Sequence, residues 1–460
     1  MRCLGAAVAC SGVILLLTVA AMSAQANAAE QRQTVELEGT EALLAATRLA
    51  RAAMEDGAYD RARQMLELVV DAREFDALAL ADRIAALFAM GQAYQGLGEH
   101  DASVRVFRGI VDDHPHLVRV RLELARSLYE VGDDGAAAHH FHHALAGELP
   151  DPVRANIRRY LHVIDHRRRW SLGVDVGVTA NSNVNVAPTI SQIELFGLPF
   201  ELDDDARPTT GLGVTGSIAA EYRHPLTDEL RLRLGGLAHQ SVYRERRFNE
   251  TILRGHVGVA RLFDTSRLGQ GELSVLAIGQ RRWVGQRRYN WAAGPGVEGH
   301  VQPWDRLRFF GRAEHLFVHH DRHDDYDGQQ TTVVFGPVYM LTPASYVGAT
   351  LGVMRDRTDH PRLRHWSYRA GLVYRHALSY GFVVTLRPEY RQVVYDRDWP
   401  AFGARRRDHV LQGAVELHNS KVEVMGFNPT VSYRYQRRES TIELYAFEQH
   451  RVELGLTRRY

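Results

Sequence analysis

Cysteine is nearly absent from this 460-residue chain: the two that occur are Cys3 and Cys10. Lysine is scarcer still, with Lys421 the sole example, so the 56 basic residues are otherwise arginine. They are balanced by 55 Asp and Glu, and the formal net charge of +1 lacks the basic excess of a nucleic-acid-binding surface. Beyond the N-terminal stretch no apolar run reaches the roughly 18 residues that a membrane helix needs. A mean hydropathy of -0.28 is also too polar for a bundle of membrane helices. It leaves a membrane β-barrel open, because barrel strands alternate apolar and polar residues. Nucleophile-elbow, zinc-protease and phosphate-loop motifs are missing, and no carboxylate pair stands in a pattern that demands acid-base catalysis. Nothing in the sequence points to an enzyme. Against these absences, 45% of residues are hydrophobic, enough to build a core and to exclude a wholly disordered chain.

Residues 1–28 read as a secretory signal, with Arg2 before the apolar stretch Ala6–Ala21 and a small-residue cleavage site at Ala26-Asn27-Ala28. Both cysteines precede that site. The mature chain is therefore expected to lack cysteine, which excludes disulfides, thiol catalysis and thiolate metal sites.

Composition changes near residue 168. Residues 29–168 are rich in Ala, Leu, Arg and Glu at helical spacing, whereas all six tryptophans follow from Trp170 onward. The expected domains are thus a helical region at 29–168 and a second domain at 169–460. The helical region repeats itself: Gly98 and Phe107 recur 34 residues later as Gly132 and Phe141, and a weaker copy holds Gly57, Ala62, Leu66 and Val69. The period resembles the tetratricopeptide repeat, with Gly91 and Tyr94 in its first-helix signature. Such helix pairs bury their apolar faces by stacking into a solenoid. That register exposes Phe88, Gln92, Gln95, Arg119, Leu122, Arg126 and Tyr129 along a groove. Gln92, Gln95, Arg119, Arg126 and Tyr129 are the expected docking residues for an extended or acidic peptide.

The second domain alternates with period two. Leu230, Leu232 and Leu234 interleave with Arg231 and Arg233; Val452, Leu454 and Leu456 interleave with Arg451, Glu453 and Gly455. Fourteen such segments begin near 170, 209, 229, 251, 271, 288, 306, 329, 345, 364, 382, 407, 428 and 450. The spacing, roughly 21 residues per segment and link, suits membrane strands of about 9–11 residues with their turns. An even number of strands and mostly alternating short and long links point to a 14-stranded antiparallel transmembrane barrel. The link near Lys421–Phe427 is longer than this alternation allows. The ending Val452, Leu454, Leu456 and Tyr460 resembles the assembly signal that outer-membrane barrels present to their assembly machinery, with Arg458 replacing an apolar residue.

Two histidine clusters stand out. His139, His140, His142 and His143 lie in the last repeat, and His139 and His143 share one helical face. His319, His320, His323 and Asp327 fall in a charged link. Both read as solvated polar segments rather than metal sites, and no cofactor is expected.

Trp170-Ser171-Leu172-Gly173-Val174, leading to Ala180-Asn181-Ser182-Asn183-Val184-Asn185, is similar to the start of the barrel in the surface lipoprotein assembly modulator family, the type XI secretion translocators. Asn181 stands where that family usually has Asp. Signal, short repeat region and barrel follow the same order. The resemblance implies an outer-membrane protein that carries client lipoproteins or secreted proteins to the surface or medium. It also implies a periplasmic repeat region that docks client or chaperone, a surrounding lipid bilayer, and no nucleotide use or covalent chemistry. A monomer is expected. The alternatives are a polysaccharide export porin, whose anionic cargo Arg231/Arg233 and Arg387/Arg391 would suit, and a passive porin with scaffolding repeats.

Overall fold

Glycines at 57, 98 and 132 open the first part of the chain, each with positive φ in a turn between helices. The computed structural model describes residues 39–196 and 198–459; the expected signal at 1–28 and Tyr460 lie outside them. The described chain forms two compact units that divide between Glu99 and His100. The change from helix to strand falls later, at residues 168–169, so it does not coincide with that division.

The first unit contains α1 (Gly39–Glu55), α2 (Tyr59–Val70) and α3 (Leu80–Gly96). Ala46, Val69 and Ala86 form its core, with Leu43 and Phe75 packed against them. Small residues let the helices approach closely. Gly96 is needed for the same reason, because a Cβ there would lie 2.2 Å from Tyr59 Cδ1.

The second unit opens with α4 (His100–Asp113), α5 (Val118–Glu130), α6 (Asp134–Leu145) and α7 (Asp151–Arg167). Phe107, Leu124, Leu128, Phe141 and Leu145 are fully buried among them. Asp133 caps α6 by accepting from the Ala136 amide at 3.1 Å, and Phe141 stacks on Tyr160 at 5.1 Å between centroids.

The strands follow: β1 (Trp170–Asn181), the short β2 (Gln192–Leu195) and β3 (Leu198–Glu201), β4 (Gly211–Pro225), β5 (Leu230–Tyr243), β6 (Glu250–Thr265) and β7 (Gly269–Val284). Then come β8 (Arg287–Trp304), β9 (Leu307–His320), β10 (Gly328–Thr342), β11 (Ser345–Thr358) and β12 (His365–Ala377). The last are β13 (Phe382–Trp399), β14 (Ala404–Asn419), β15 (Asn428–Ser440) and β16 (Phe447–Arg459). β2 and β3 pair only with each other, and the remaining fourteen close into an antiparallel barrel. Each barrel strand begins within three residues of the position expected from the period-two pattern. Closure satisfies every strand edge, which hydrocarbon requires.

One face of each strand is exposed and apolar. Leu212, Val214, Ile218, Leu234, Leu411 and Leu454 all point outward, as a lipid-facing belt must. The opposite face lines the lumen. At the closing seam Gly173–Asn181 of β1 pairs with Arg451–Arg459 of β16. Glu453 reaches inward across β1 to accept from Thr215 Oγ1 at 3.1 Å. Gly177 permits this crossing, since a Cβ there would lie 2.9 Å from Leu454 O and 3.1 Å from Glu453 Oε1. Asp175 bridges the same seam, accepting from Thr457 Oγ1 at 2.7 Å and Ser217 Oγ at 2.9 Å.

Candidate functional site

The lumen is framed at one end by helices. On α7, Arg154 and Arg158 both donate to Asp305 in the β8–β9 turn, at 2.9 and 2.8 Å. Arg231 of β5 is buried and donates to Asp165 of α7 at 3.1 and 2.6 Å. Lys421 donates to both oxygens of Asp113 on α4, at 2.8 and 2.9 Å, and Ser420 donates to Asp112 at 2.8 Å. This explains the long link at residues 420–427. It is the turn that carries the chain's single lysine to α4. Burial pushes the Asp112 carboxyl up, while the Ser420 hydrogen bond opposes that shift.

The histidine tetrad of α6 faces the same junction. His143 Nδ1 donates to the Pro343 carbonyl in the β10–β11 turn at 2.8 Å, and its ring lies 4.3 Å from that of His139. Buried Arg121 donates to His140 Nδ1 at 3.1 Å and to the Pro115 carbonyl at 2.6 Å. Burial away from water lowers the Arg121 guanidinium to about 10, with Asp112 opposing the shift. Loss of hydration on burial, with neighbouring Arg308 for His142 and Arg121 for His143, pushes both imidazoles down to about 4. His140 thus ties α6 to α5 and His143 ties it to the barrel, while His139 stays exposed. In the other cluster Asp327 accepts from the His320 amide and lies against His319 Nδ1, both at 2.5 Å, which ties the β9–β10 link.

At the far end the Asn181-Ser182-Asn183 stretch forms a latch across the seam. Asn183 is buried and donates to the carbonyls of Ala187 at 2.9 Å and Glu448 at 3.1 Å. Its Oδ1 accepts from the Ala187 amide at 2.9 Å, and its carbonyl accepts from Gln449 Nε2 at 2.6 Å. The Ser182 amide donates to the His450 carbonyl and the His450 amide returns to Ser182 Oγ, both at 2.9 Å. Asn185 then holds the returning chain, accepting from the Thr209 amide at 3.0 Å. Amide side chains suit this place because they satisfy backbone groups where the ladder stops. Beyond the latch the loop crosses to other links, the Phe196 amide donating to the Ala401 carbonyl at 2.8 Å. The sequence marks this stretch by three asparagines within five residues and by its resemblance to the family's barrel start, but not by the contacts it makes.

On the β4–β9 side of the lumen, Arg233 sits among carboxylates. It contacts Glu221 at 3.0 Å, Glu272 at 3.3 Å and Glu298 at 2.6 Å, and donates to Ser274 at 2.7 Å. Farther along, Arg254 and Arg312 share Glu314, each at 2.5 Å. Arg231 and Arg233, read from the sequence as cation rows open to cargo, are instead neutralised by the protein itself. Arg387 likewise pairs with Glu416 at 2.9 Å.

The expected docking residues separate into the two units. Gln92 and Gln95 lie half-buried on α3 of the first, and Phe88 is buried there. Arg119 and Arg126 are exposed on one face of α5 in the second, Arg126 pairing with Glu123 at 3.0 Å. Tyr129 departs from the expected open groove. Its ring meets Tyr160 edge-on at 5.0 Å and carries the Arg167 guanidinium at 4.2 Å. At the C-terminal end, Val452 and Leu454 point outward, Leu454 being 59% exposed.

A family model described as surface lipoprotein assembly modifier matches residues 170–460, beginning at the first residue of β1. This chain belongs to the surface lipoprotein assembly modifier family. A tetratricopeptide repeat matches residues 85–116. The chain is similar to the hemophilin secretion modulator of Acinetobacter baumannii, 22% identical over 86% of this chain and 83% of that one. It is also similar to surface lipoprotein assembly modifier 1 of Neisseria meningitidis serogroup B, 24% identical over 82% and 77%. Among solved structures, the outer membrane channel DcaP of Acinetobacter baumannii is 12% identical, covering 63% of this chain and 97% of that one, with a TM-score of 0.37.

Proposed function

We propose that this chain is an outer-membrane translocator that moves a client protein, lipidated or soluble, from the periplasm to the cell surface or medium. The observation that carries this reading is the match of the whole barrel, residues 170–460, to the surface lipoprotein assembly modifier family. Two relatives are named for hemophilin secretion and for surface lipoprotein assembly, which supports a client of that kind. The helices at residues 39–167 face the periplasm and receive the client or its chaperone. Arg119 and Arg126 on α5 are docking contacts, their planar guanidinium groups suited to carboxylates or carbonyls. Gln92 and Gln95 offer a separate polar surface on α3. The client then passes through the polar lumen, and its folding outside draws it onward. The signal at 1–28 directs export, and the Val452, Leu454, Leu456 and Tyr460 ending directs barrel assembly, after which the chain acts as a monomer. The test is surface client per assembled barrel in cells that express the client with and without this chain. Client appears outside only with the chain, and falls in the Arg119→Glu, Arg126→Glu double variant. Equal surface client without the chain overturns the reading, and wild-type export by the double variant overturns the docking site.

A further inference from the structure

Among the inward side chains, β12, β13, β15 and β16 bring arginines face to face. The register sets Arg369 of β12 directly opposite Arg391 of β13. It sets Arg434 of β15 directly opposite Arg451 of β16. Like charges at directly opposed positions, with Cβ atoms about 4.5–5.5 Å apart, oppose pairing of the strands. Among the described residues none of these four forms an ion pair with a carboxylate; Glu453 and Glu416 act on Arg434 only from a distance, and Glu416 is already paired with Arg387. The Nε atoms of Arg391 and Arg451 are buried with no hydrogen-bond partner. Arg434, though inward, is exposed, so water reaches it from the lumen.

The two opposed pairs lie at different heights. Through β14 the ladder places Arg391 level with Val410 and Arg438, and Arg434 level with Ala414 and Arg387. The two levels are therefore four residues apart, about 13 Å at 3.3 Å per residue. A single phosphate or chloride meets one pair and leaves the other unmet. The pairs are also three strands apart, about 14 Å sideways, so they lie about 19 Å from each other; an extended chain repeats its side chains on one face about every 7 Å, and carboxylates six residues apart reach both.

We propose that this wall of the lumen is a binding site for an acidic, extended segment of the polypeptide in transit, whose carboxylates make the direct ion pairs that these arginines lack within the barrel. The assignment rests on the translocator reading and names the chemistry that reading requires of its client. Each opposed arginine pair forms a two-sided clamp for one carboxylate, each guanidinium donating paired N–H groups. The chain beyond the clamp stays solvated, so the segment is gripped weakly and released.

The test uses the full chain in detergent micelles and a fluorescein-labelled deca-glutamate peptide as probe. The informative variant is Arg391→Glu with Arg451→Glu. It turns each opposed pair into an ion pair, so the barrel stays folded, which its heat-shifted gel migration checks. The wild type binds the probe, the affinity falls steeply with added sodium chloride, and the variant binds at least tenfold more weakly. A control, Arg48→Gln with Arg267→Gln, binds as the wild type; both of these arginines are exposed and lie outside the strands. Equal probe affinity in wild type and variant, or an equal loss in the control, overturns the site. Full displacement of the probe by an equal concentration of inorganic phosphate overturns its assignment to an extended chain. Export by cells gives the second readout. Wild-type client export by a variant that has lost the probe overturns the link to the client. Absence of export by the wild-type chain fails the translocator reading instead, and leaves the binding result to stand alone.

Discussion

On the β4–β9 wall Arg233 lies among Glu221, Glu272 and Glu298, and Arg254 shares Glu314 with Arg312. Across the lumen Arg434 faces Arg451 and Arg369 faces Arg391, and none of the four makes an ion pair among the described residues; Glu453 and Glu416 reach Arg434 only at longer range. Both walls are built from inward-facing positions of the same closed sheet. The first wall is closed electrostatically: removing one partner strands the others in a place that water reaches poorly. The second remains in repulsion, held in register by the hydrogen bonds of a closed sheet. The difference teaches that arginine in a barrel lumen has no single meaning. Its role is decided by what the register places beside it.

The largest expected effect breaks the closed wall. Arg233→Met leaves buried Glu272 and half-buried Glu298 without their cation and Glu221 with Arg223 alone, and breaking a buried pair in this way costs about 3–5 kcal/mol. The variant should assemble poorly and lose its heat-resistant gel form at a markedly lower temperature. Arg434→Met should leave that temperature unchanged or raise it. Equal losses would erase the contrast between the walls.

Next comes the facing of the strands themselves. Leu454→Arg puts a charge in the lipid belt at a cost of about 2–4 kcal/mol. Glu453→Arg loses one hydrogen bond to Thr215 and meets water in the lumen. Outer-membrane levels by immunoblot should fall far more for the first. A larger fall for Glu453→Arg would reverse the inward parity on which both walls depend.

A smaller effect sharpens the comparison at the seam. Asn183→Ala leaves the Ala187 amide and the Glu448 carbonyl without their partner, at about 1–3 kcal/mol for a buried unsatisfied group. Hydrogen exchange should quicken at Ser182–Ala187 and at Glu448–His450, with the β4–β9 wall unchanged. Exchange that quickens throughout the barrel would make Asn183 a general core residue instead of a latch.

The most local effect is confined to α6. His142 and His143 are held down to about 4 against an ordinary value near 6.5, so the unfolded chain binds more protons between those values. Stability from their neutral form is complete above pH 6.5 and is lost as pH falls towards 4. Arg308, Asp165 and Asp305 face His142, and Arg121, Arg375 and the Pro343 carbonyl face His143. Protection of α6 amides should fall across that window while barrel amides keep theirs. Flat protection from pH 7 to 4 would remove the histidines from the junction.

Much of the barrel was legible because its signal is local. Alternation within each strand fixed the fourteen segments, their inward face and the orientation of Leu454. The helical pairs were legible through Gly98 and Gly132, which mark turns in both repeats. The charge contrast between walls was not, because it depends on register between segments: Arg434 and Arg451 become neighbours only once β15 and β16 are aligned. The overlong link at 420–427 was visible as a misfit, but its cause, Asp112 and Asp113 of α4, lies some 308 residues away. Tyr129 fitted the groove by helical spacing alone. Its actual partners, Tyr160 and Arg167, sit on α7, a helix outside the 34-residue repeat.

The proposed passage of the client inside the barrel, along the arginine wall, has a direct test. A photo-crosslinking amino acid at Arg434, which points into the lumen, and another at Val431, which points outward at 46% exposure, separate the routes directly. Illumination during export should join client to position 434 and leave position 431 unjoined. Adducts at 431 with none at 434 would contradict passage through the lumen.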